Sequence, residues 1–305
     1  MHVLVTGASG WIGSAVVPEL IGAGHRVVGL ARSRASAEAL TAAGADVHEG
    51  SLDDLAGLGD AAKAADGVIH LAFKHDLAFS GDFDGAVAAD RLAVETIGRA
   101  LEGSDRSLVI ASGTTGVAFG RVATEADGRD ADPDGVGAVG GRQATARIVL
   151  SMAERGVRSS VLRLPPTTHG KGDNGFLATQ VAIARDKGVS GYVGDGANRW
   201  PAVHRSDAAR LFRLAVEAAP AGSVLHAVDD EGVPTRDIAE VIARQLGIPA
   251  VSVAPDDAGA HFGWLAPFLA ADAPASSVLT RELLGWQPTG PGLLADLDQG
   301  HYVDV

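Results

Sequence analysis

Residues 2–13 read HVLVTGASGWIG, an apolar run that ends in a hydroxyl and then gives way to glycines at 7, 10 and 13. Val3, Leu4 and Val5 make the short apolar stretch expected of a strand covered on both faces, and helical spacing follows over 11–23. In a strand–turn–helix unit, G-x-x-G-x-x-G spacing gives each glycine a use. The first permits the tight turn, the second lets the backbone approach a pyrophosphate, and the third lets helix and strand pack closely. The first N–H groups of the helix then face the phosphates. A glycine-rich turn without a ligand is the plainer alternative. The placement directly between strand and helix favours a dinucleotide site built from Thr6, Gly7, Ser9, Gly10, Trp11, Ile12 and Gly13.

The same alternation continues outward. Strands are predicted at 26–31, 46–49, 67–72, 107–112 and 158–164, with helices at 34–43, 54–64, 84–102 and 141–155. Their Val/Leu/Ile-rich strands imply right-handed crossovers and a doubly wound parallel α/β sheet. Beyond Pro165-Pro166 the pattern loosens. A helix is expected at 176–187, short strands at 190–194, 200–204 and 223–228, and helices at 206–219 and 235–246, before an aromatic, Pro-rich tail. The division expected is 1–165 as the dinucleotide-binding part, with further sheet contributions from about 200–230, and 166–305 as a small α+β substrate-binding cap.

Composition narrows the function classes. A net charge of −13 over 305 residues argues against nucleic acid as a partner. No apolar run reaches the ~18 residues of a membrane span. The first residues read as a strand and not a signal peptide, and there is no cysteine, so a reducing cytoplasm is the simplest expectation. Ten histidines without an H-E-x-x-H pattern give no reason to expect a metal.

Thr6-Gly7-Ala8-Ser9-Gly10-Trp11-Ile12-Gly13 resembles the T-G-x-x-G-x-x-G signature of short-chain dehydrogenases/reductases, in the extended or atypical epimerase/dehydratase-like branch. Further matches run in order along nearly the whole chain. Gly50-Ser51-Leu52-Asp53 resembles the segment that lines the adenine pocket, which gives cofactor roles to Ser51 and Leu52. Val68 to Ala72 resembles the strand under the nicotinamide ribose, placing Leu71, Ala72 and the following Phe73 at the cofactor. Ser112 ends the strand that in the family bears the catalytic serine. Arg163-Leu164-Pro165 resembles the step under the nicotinamide, and Leu284-Gly285-Trp286-x-Pro288 a C-terminal family motif. The resemblance implies a Rossmann-type fold, a nicotinamide cofactor and a small-molecule substrate. It also implies that the helices at 84–102 and 141–155 can pair in a homodimer. Val87, Val94 and Leu101 mark an apolar stripe there, which burial within one chain explains equally well.

At the end of the second strand an acid would bind the 2′-hydroxyl of NAD, whereas a basic residue accommodates a 2′-phosphate. The chain has Ala31-Arg32-Ser33-Arg34. Arg32 offers a bidentate fork and Ser33 a hydroxyl, so NADP(H) is preferred over NAD(H); a solvated loop arginine is the other reading. In the family a Tyr-x-x-x-Lys pair supplies the proton, with the lysine lowering the phenol's pKa and holding the ribose. Here the tyrosines are Tyr192 and Tyr302, neither followed by lysine four residues on. Counting back from Arg163 places the pair near 137 and 141, give or take one, and both are glycine; Arg142 keeps a positive charge close by.

Substitutes are therefore sought at the carboxyl ends of the strands, where open α/β sheets bind ligands. His75 has the pKa range for acid/base work, with Asp76 beside it; an exposed loop histidine is the alternative. Ser112 and Thr114, with Thr115, offer hydroxyls to a substrate oxygen, or merely cap the strand end. Lys74 is expected to point to solvent and Asp90 to be structural. In the second half His169 and Trp200 are candidates for substrate contact, against roles in loop and core packing. The resulting expectation is an NADP-preferring oxidoreductase acting on a small carbonyl or imine. The alternatives are a silent NADP-binding sensor of the NmrA-like type and a redox-neutral isomerase or lyase.

Overall fold

Strand and helix alternate from the first residues of the computed structural model, which describes residues 1–118, 120–130, 132 and 134–303, without the side chains of Phe79 and Ala138. β1 (His2–Thr6), β2 (Arg26–Ala31), β3 (Asp46–Glu49), β4 (Gly67–His70), β5 (Ser107–Gly113) and β6 (Arg158–Leu164) are connected through α1 (Gly13–Gly22), α2 (Arg34–Ala42), α3 (Leu55–Ala64), α4 (His75–Phe79), α5 (Phe83–Leu101) and α6 (Gly137–Ser151). The second half contains β7 (Thr167–His169), α7 (Phe176–Lys187), β8 (Ser190–Val193), β9 (Arg199–His204), α8 (Arg205–Ala218), β10 (Ser223–His226), β11 (Asp230–Pro234), α9 (Thr235–Leu246) and β12 (Ala250–Val253). Four short helices close the chain: α10 (Ala258–Phe262), α11 (Ala266–Leu269), α12 (Val278–Leu284) and α13 (Leu293–Leu297).

The main sheet has seven parallel strands in the order β10-β6-β5-β4-β1-β2-β3. Its strand order reverses between β1 and β4, which opens a crevice at their carboxyl ends. Alternate residues of one strand feed opposite layers. Val3 and Val5 join Val16, Leu20, Leu211 and Phe212 under α1 and α8, while Leu4 joins Leu58, Ile97 and Met152 under α3 and α5. Each such side chain, once fully buried, contributes about 1.5–3 kcal/mol.

Two expectations change here. Val94 and Leu101 are fully buried between α5 and its neighbours, and half-buried Val87 lies against Gly141 of α6, so burial within the chain accounts for most of the apolar stripe. β4 ends at His70 instead of residue 72, because the N–H groups of Leu71 and Ala72 turn to the Thr6 hydroxyl.

In the smaller part β9 lies between β7, parallel to it, and antiparallel β11, while β8 pairs with β12. Trp286 is buried and its indole N–H donates to Asp207 O at 3.1 Å. The Asp207 carboxylate accepts from the N–H groups of Thr289 and Gly290, at 3.0 and 2.8 Å, which fastens the tail to α8. α8 is capped by His204, whose Nδ1 accepts from Ser206 N–H. Among the described residues no helix is long and apolar enough to cross a membrane.

Candidate active site

The turn from β1 into α1 forms a cradle closed by backbone on two sides. Gly7 has φ +66°, and a Cβ there would lie 2.7 Å from Ala72 N, so only glycine fits. Gly13 is buried, and a Cβ there would strike Gly7 O and Ala8. Gly10 meets nothing closer than Gly7 O at 3.1 Å, and Ser9 and Gly10 are exposed. α1 has no side-chain cap and no acid in its first turn; Ser14 and Ala15 N–H already donate to Gly10 O and Ile12 O, which leaves the N–H groups of Trp11, Ile12 and Gly13 to face an anion. This geometry fits a pyrophosphate.

Trp11 and Ile12 are half-buried at the same turn. The Arg205 guanidinium lies 4.1 Å above the Trp11 ring and donates to Ser14 Oγ at 3.3 Å. The sequence held no signal for this cation, which reaches the cradle from 191 residues away.

Next to the cradle, a cleft of about 1100 Å³ is lined by Arg32, Ser33, Arg34, Gly50 and Ser51, among others, and also by Glu38, Glu49 and Asp54. Arg32 is exposed and reaches Asp76 at 3.4 Å, an exposed pair of small strength. Asp76 thus pairs with Arg32, while its charge also acts on the neighbouring His75. Ser33 caps α2, its Oγ accepting from Ser36 N–H at 3.2 Å, and Ser51 Oγ accepts from Asp53 N–H at 3.1 Å. Leu52 is buried. Lys74, expected in solvent, donates to Asp53 at 2.6 Å and ties this cleft to the end of β4.

Between the cradle and the ends of β4 and β5 runs a buried chain of hydrogen bonds. Thr6 is fully buried, which turns its side chain away from any cofactor. Its Oγ1 accepts from Leu71 and Ala72 N–H, both at 3.2 Å, so its own proton goes to His70 Nδ1 at 2.8 Å. His70 Nε2–H then donates to Asp90 Oδ1 at 3.1 Å, and Arg142 donates to Asp90 Oδ2 at 2.9 Å and to Ala111 O at 2.7 Å. Burial pushes the Asp90 carboxyl up, but the Arg142 charge and the bonds from His70 and Arg142 outweigh it and hold the carboxyl below its usual range. The Arg142 guanidinium stands 4.7 Å from the centre of the Phe73 ring, and Phe73 meets His75 edge-on at 5.2 Å.

His75 begins α4 instead of sitting in a loop. Although His75 is exposed, burial of its ring first, then the charge of Arg142, lower its pKa, against the opposing charges of Asp76 and Asp90. Ser112 is buried and Thr114 is 1% exposed, its Oγ1 without a partner among the described residues; Thr115 is the more accessible hydroxyl. Pro165 is buried at the end of β6, while Leu71, Ala72 and Phe73 are half-buried at the end of β4.

The substrate candidates of the second half are corrected by burial. Trp200 is 1% exposed, donates to Phe268 O at 2.9 Å and belongs to a core with Phe262, Leu265 and Leu269. His169 is fully buried and bonds Asp296 at 2.8 Å, which anchors α13 to β7. Among the described residues there is no group of three or more His, Asp or Glu placed to hold a metal ion.

The model of the NAD dependent epimerase/dehydratase family matches residues 3–227. The chain belongs to that family. Its members form part of the extended short-chain dehydrogenase/reductase superfamily and are NAD(P)-dependent enzymes, with which the glycine cradle is consistent. An uncharacterized protein of Schizosaccharomyces pombe is 45% identical over 303 residues, covering 99% of this chain and 100% of the relative. The 2-alkyl-3-oxoalkanoate reductase of Stenotrophomonas maltophilia is 27% identical over 265 residues, covering 83% of this chain and 78% of the reductase. A solved dTDP-glucose 4,6-dehydratase of Streptomyces venezuelae with NAD bound superposes with a TM-score of 0.75 at 19% identity, over 99% of this chain and 96% of that one, and so shares its fold.

Within this family frame, the glycines on α6 acquire definite surroundings. Gly137 has φ +73° and donates to Asp84 at 2.9 Å, and a Cβ on Gly141 would come within 2.7 Å of Val87 Cγ1. From this helix it is Arg142, one residue beyond the expected lysine position, that reaches the ends of β4 and β5.

Proposed function

We propose that the protein is an NADP-preferring oxidoreductase that reduces a small organic carbonyl or imine. When bound, a reduced nicotinamide supplies a hydride equivalent. The observation that carries the reading is the joint geometry of the glycine cradle and Arg32, an exposed guanidinium lining the cleft beside it where an acid would select NAD. Gly7, Gly10 and Gly13 would hold the pyrophosphate, Arg32 and Ser33 the 2′-phosphate, and Ser51 and Leu52 the adenine. Leu71, Ala72, Phe73 and Pro165 would border the nicotinamide half. Ser112 and Thr115, with His75, would orient the substrate, and residues 166–305 would close over it. The 3-oxo group in the name of the Stenotrophomonas maltophilia reductase supports a carbonyl as the acceptor.

The test is NADPH oxidation followed at the nicotinamide absorbance across a panel of aldehydes, ketones and cyclic imines. Substrate-dependent oxidation is the expected result. Tight NADPH binding with no turnover on any member would instead make the protein a cofactor sensor.

A further inference from the structure

Reduction of a carbonyl places negative charge on its oxygen, and the obvious proton donors are poorly placed to meet it. The His75 pKa is lowered by burial and by Arg142, and Thr114 is buried. The Tyr302 hydroxyl is occupied by Gly170 N–H and Asp173, and Tyr192 lies on β8 in the smaller part. Arg142 is different. Its side chain is 23% exposed, two of its five N–H donors are committed to Asp90 and Ala111 O, and its face rests against Phe73. The counter-charge Asp90 cannot drift, because His70 holds its other oxygen and Thr6 fixes the tautomer of His70. Leu71 and Ala72, which donate to that same Thr6 hydroxyl, lie directly against Gly7 of the cradle. A permanently charged, planar donor at the carboxyl ends of β4 and β5 is thus locked in place from the core outward.

We propose that Arg142 holds the substrate oxygen on which negative charge develops, with Asp90, His70 and Thr6 as the positioning residues that fix it. This rests on the reductase reading. As the carbonyl carbon accepts the hydride from the reduced nicotinamide, the C=O π pair moves to oxygen. The alkoxide lies against the free N–H groups of Arg142 and takes its proton from water. Because Asp90 offsets the charge of Arg142, the pair is neutral overall. The pocket accordingly favours uncharged aldehydes or ketones over substrates that already carry a carboxylate.

The experiment uses p-nitrophenol bound to NADP⁺-saturated protein, its phenolate standing for the alkoxide, with ionisation read from absorbance. Bound to the wild type, the phenol ionises about tenfold more readily than in solution. Arg142→Ala abolishes the shift, and Arg142→Lys restores part of it. Asp90→Asn separates two roles: positioning predicts a smaller shift, whereas a mere counter-charge predicts a larger one. Affinity for 2′,5′-ADP, unchanged in each variant, verifies a folded site. On a carbonyl substrate Arg142→Ala lowers kcat by about 100-fold, with partial rescue by added guanidinium.

An absent phenol shift in the wild type, failure of the phenol to bind, or a shift that survives Arg142→Ala would overturn the proposal. Wild-type protein that binds NADP⁺ and shifts the phenol but turns over no carbonyl would instead overturn the reductase reading.

Discussion

Each half of the molecule buries one histidine–aspartate pair, and the two have different consequences. His70 and Asp90 meet at 3.1 Å in the main sheet, and His169 and Asp296 at 2.8 Å in the smaller part, every side chain no more than 3% exposed. The first pair continues in both directions, inward to Thr6 beside the glycine cradle and outward to half-exposed Arg142. The second stops. His169 Nε2 has no partner among the described residues, its ring meets His204 edge-on at 5.5 Å, and Asp296 is further approached only by His301, at 3.6 Å. The first pair's hydrogen bonds lead out of the core to a partly exposed guanidinium, whereas the second's hold α13 against β7.

The most damaging way to probe this contrast is Asp296→Ala, which strands His169 and releases α13. It should cost about 3–5 kcal/mol in urea unfolding while leaving NADPH affinity in the folded fraction unchanged. A loss of cofactor affinity as large as the loss of stability would erase the distinction between the pairs.

A third buried histidine sharpens it through pH. His226 donates from Nδ1 to Ser276 O at 2.8 Å and accepts from Arg163 at 3.2 Å, facing also Glu125 and Asp127. Burial first, and then the Arg163 charge, lower its pKa to about 4. Its folded pKa lies below its unfolded value, so below ~6.5 the unfolded chain binds more protons and stability falls as pH drops towards about 4, by about 3 kcal/mol in all. Unfolding free energies that stay flat between those limits, or an unchanged slope in His226→Asn, would contradict this.

Smaller effects are expected where the chain meets solvent. Arg32→Ala should weaken NADPH binding about tenfold and leave NADH nearly unchanged, as read by titration of both. At the other end of β2, Arg26 pairs with Asp46 at 2.6 Å in full exposure. Arg26→Ala should leave the urea unfolding midpoint unchanged, and a clear drop would show that exposed pairs here act like buried ones.

The sequence announced the main sheet because each strand is an apolar run bounded by turn residues, and the cradle because three glycines have fixed spacing. The chain behind Arg142 was illegible for a different reason. His70 and Asp90 are 20 residues apart and Asp90 and Arg142 52 apart, so only the folded sheet brings them together. Counting to the nearest residue along a helix leaves the facing side undecided, since one position is about 100° of rotation, and this separates Gly141 against Val87 from Arg142 in the site. Trp200 and His169 are buried in the core, which residue type alone did not show, because an aromatic or a histidine suits a pocket wall and a core equally well. Short elements such as α4, β7 and β11 have too few residues for a period to show.

The most direct test of the account is a fluorescence titration of the purified protein with NADPH and NADH under identical salt. NADPH binding at least about tenfold tighter than NADH, with the difference abolished in Arg32→Ala, is the predicted result. Equal or tighter binding of NADH, or binding of neither, would contradict the assignment of the cradle and of Arg32.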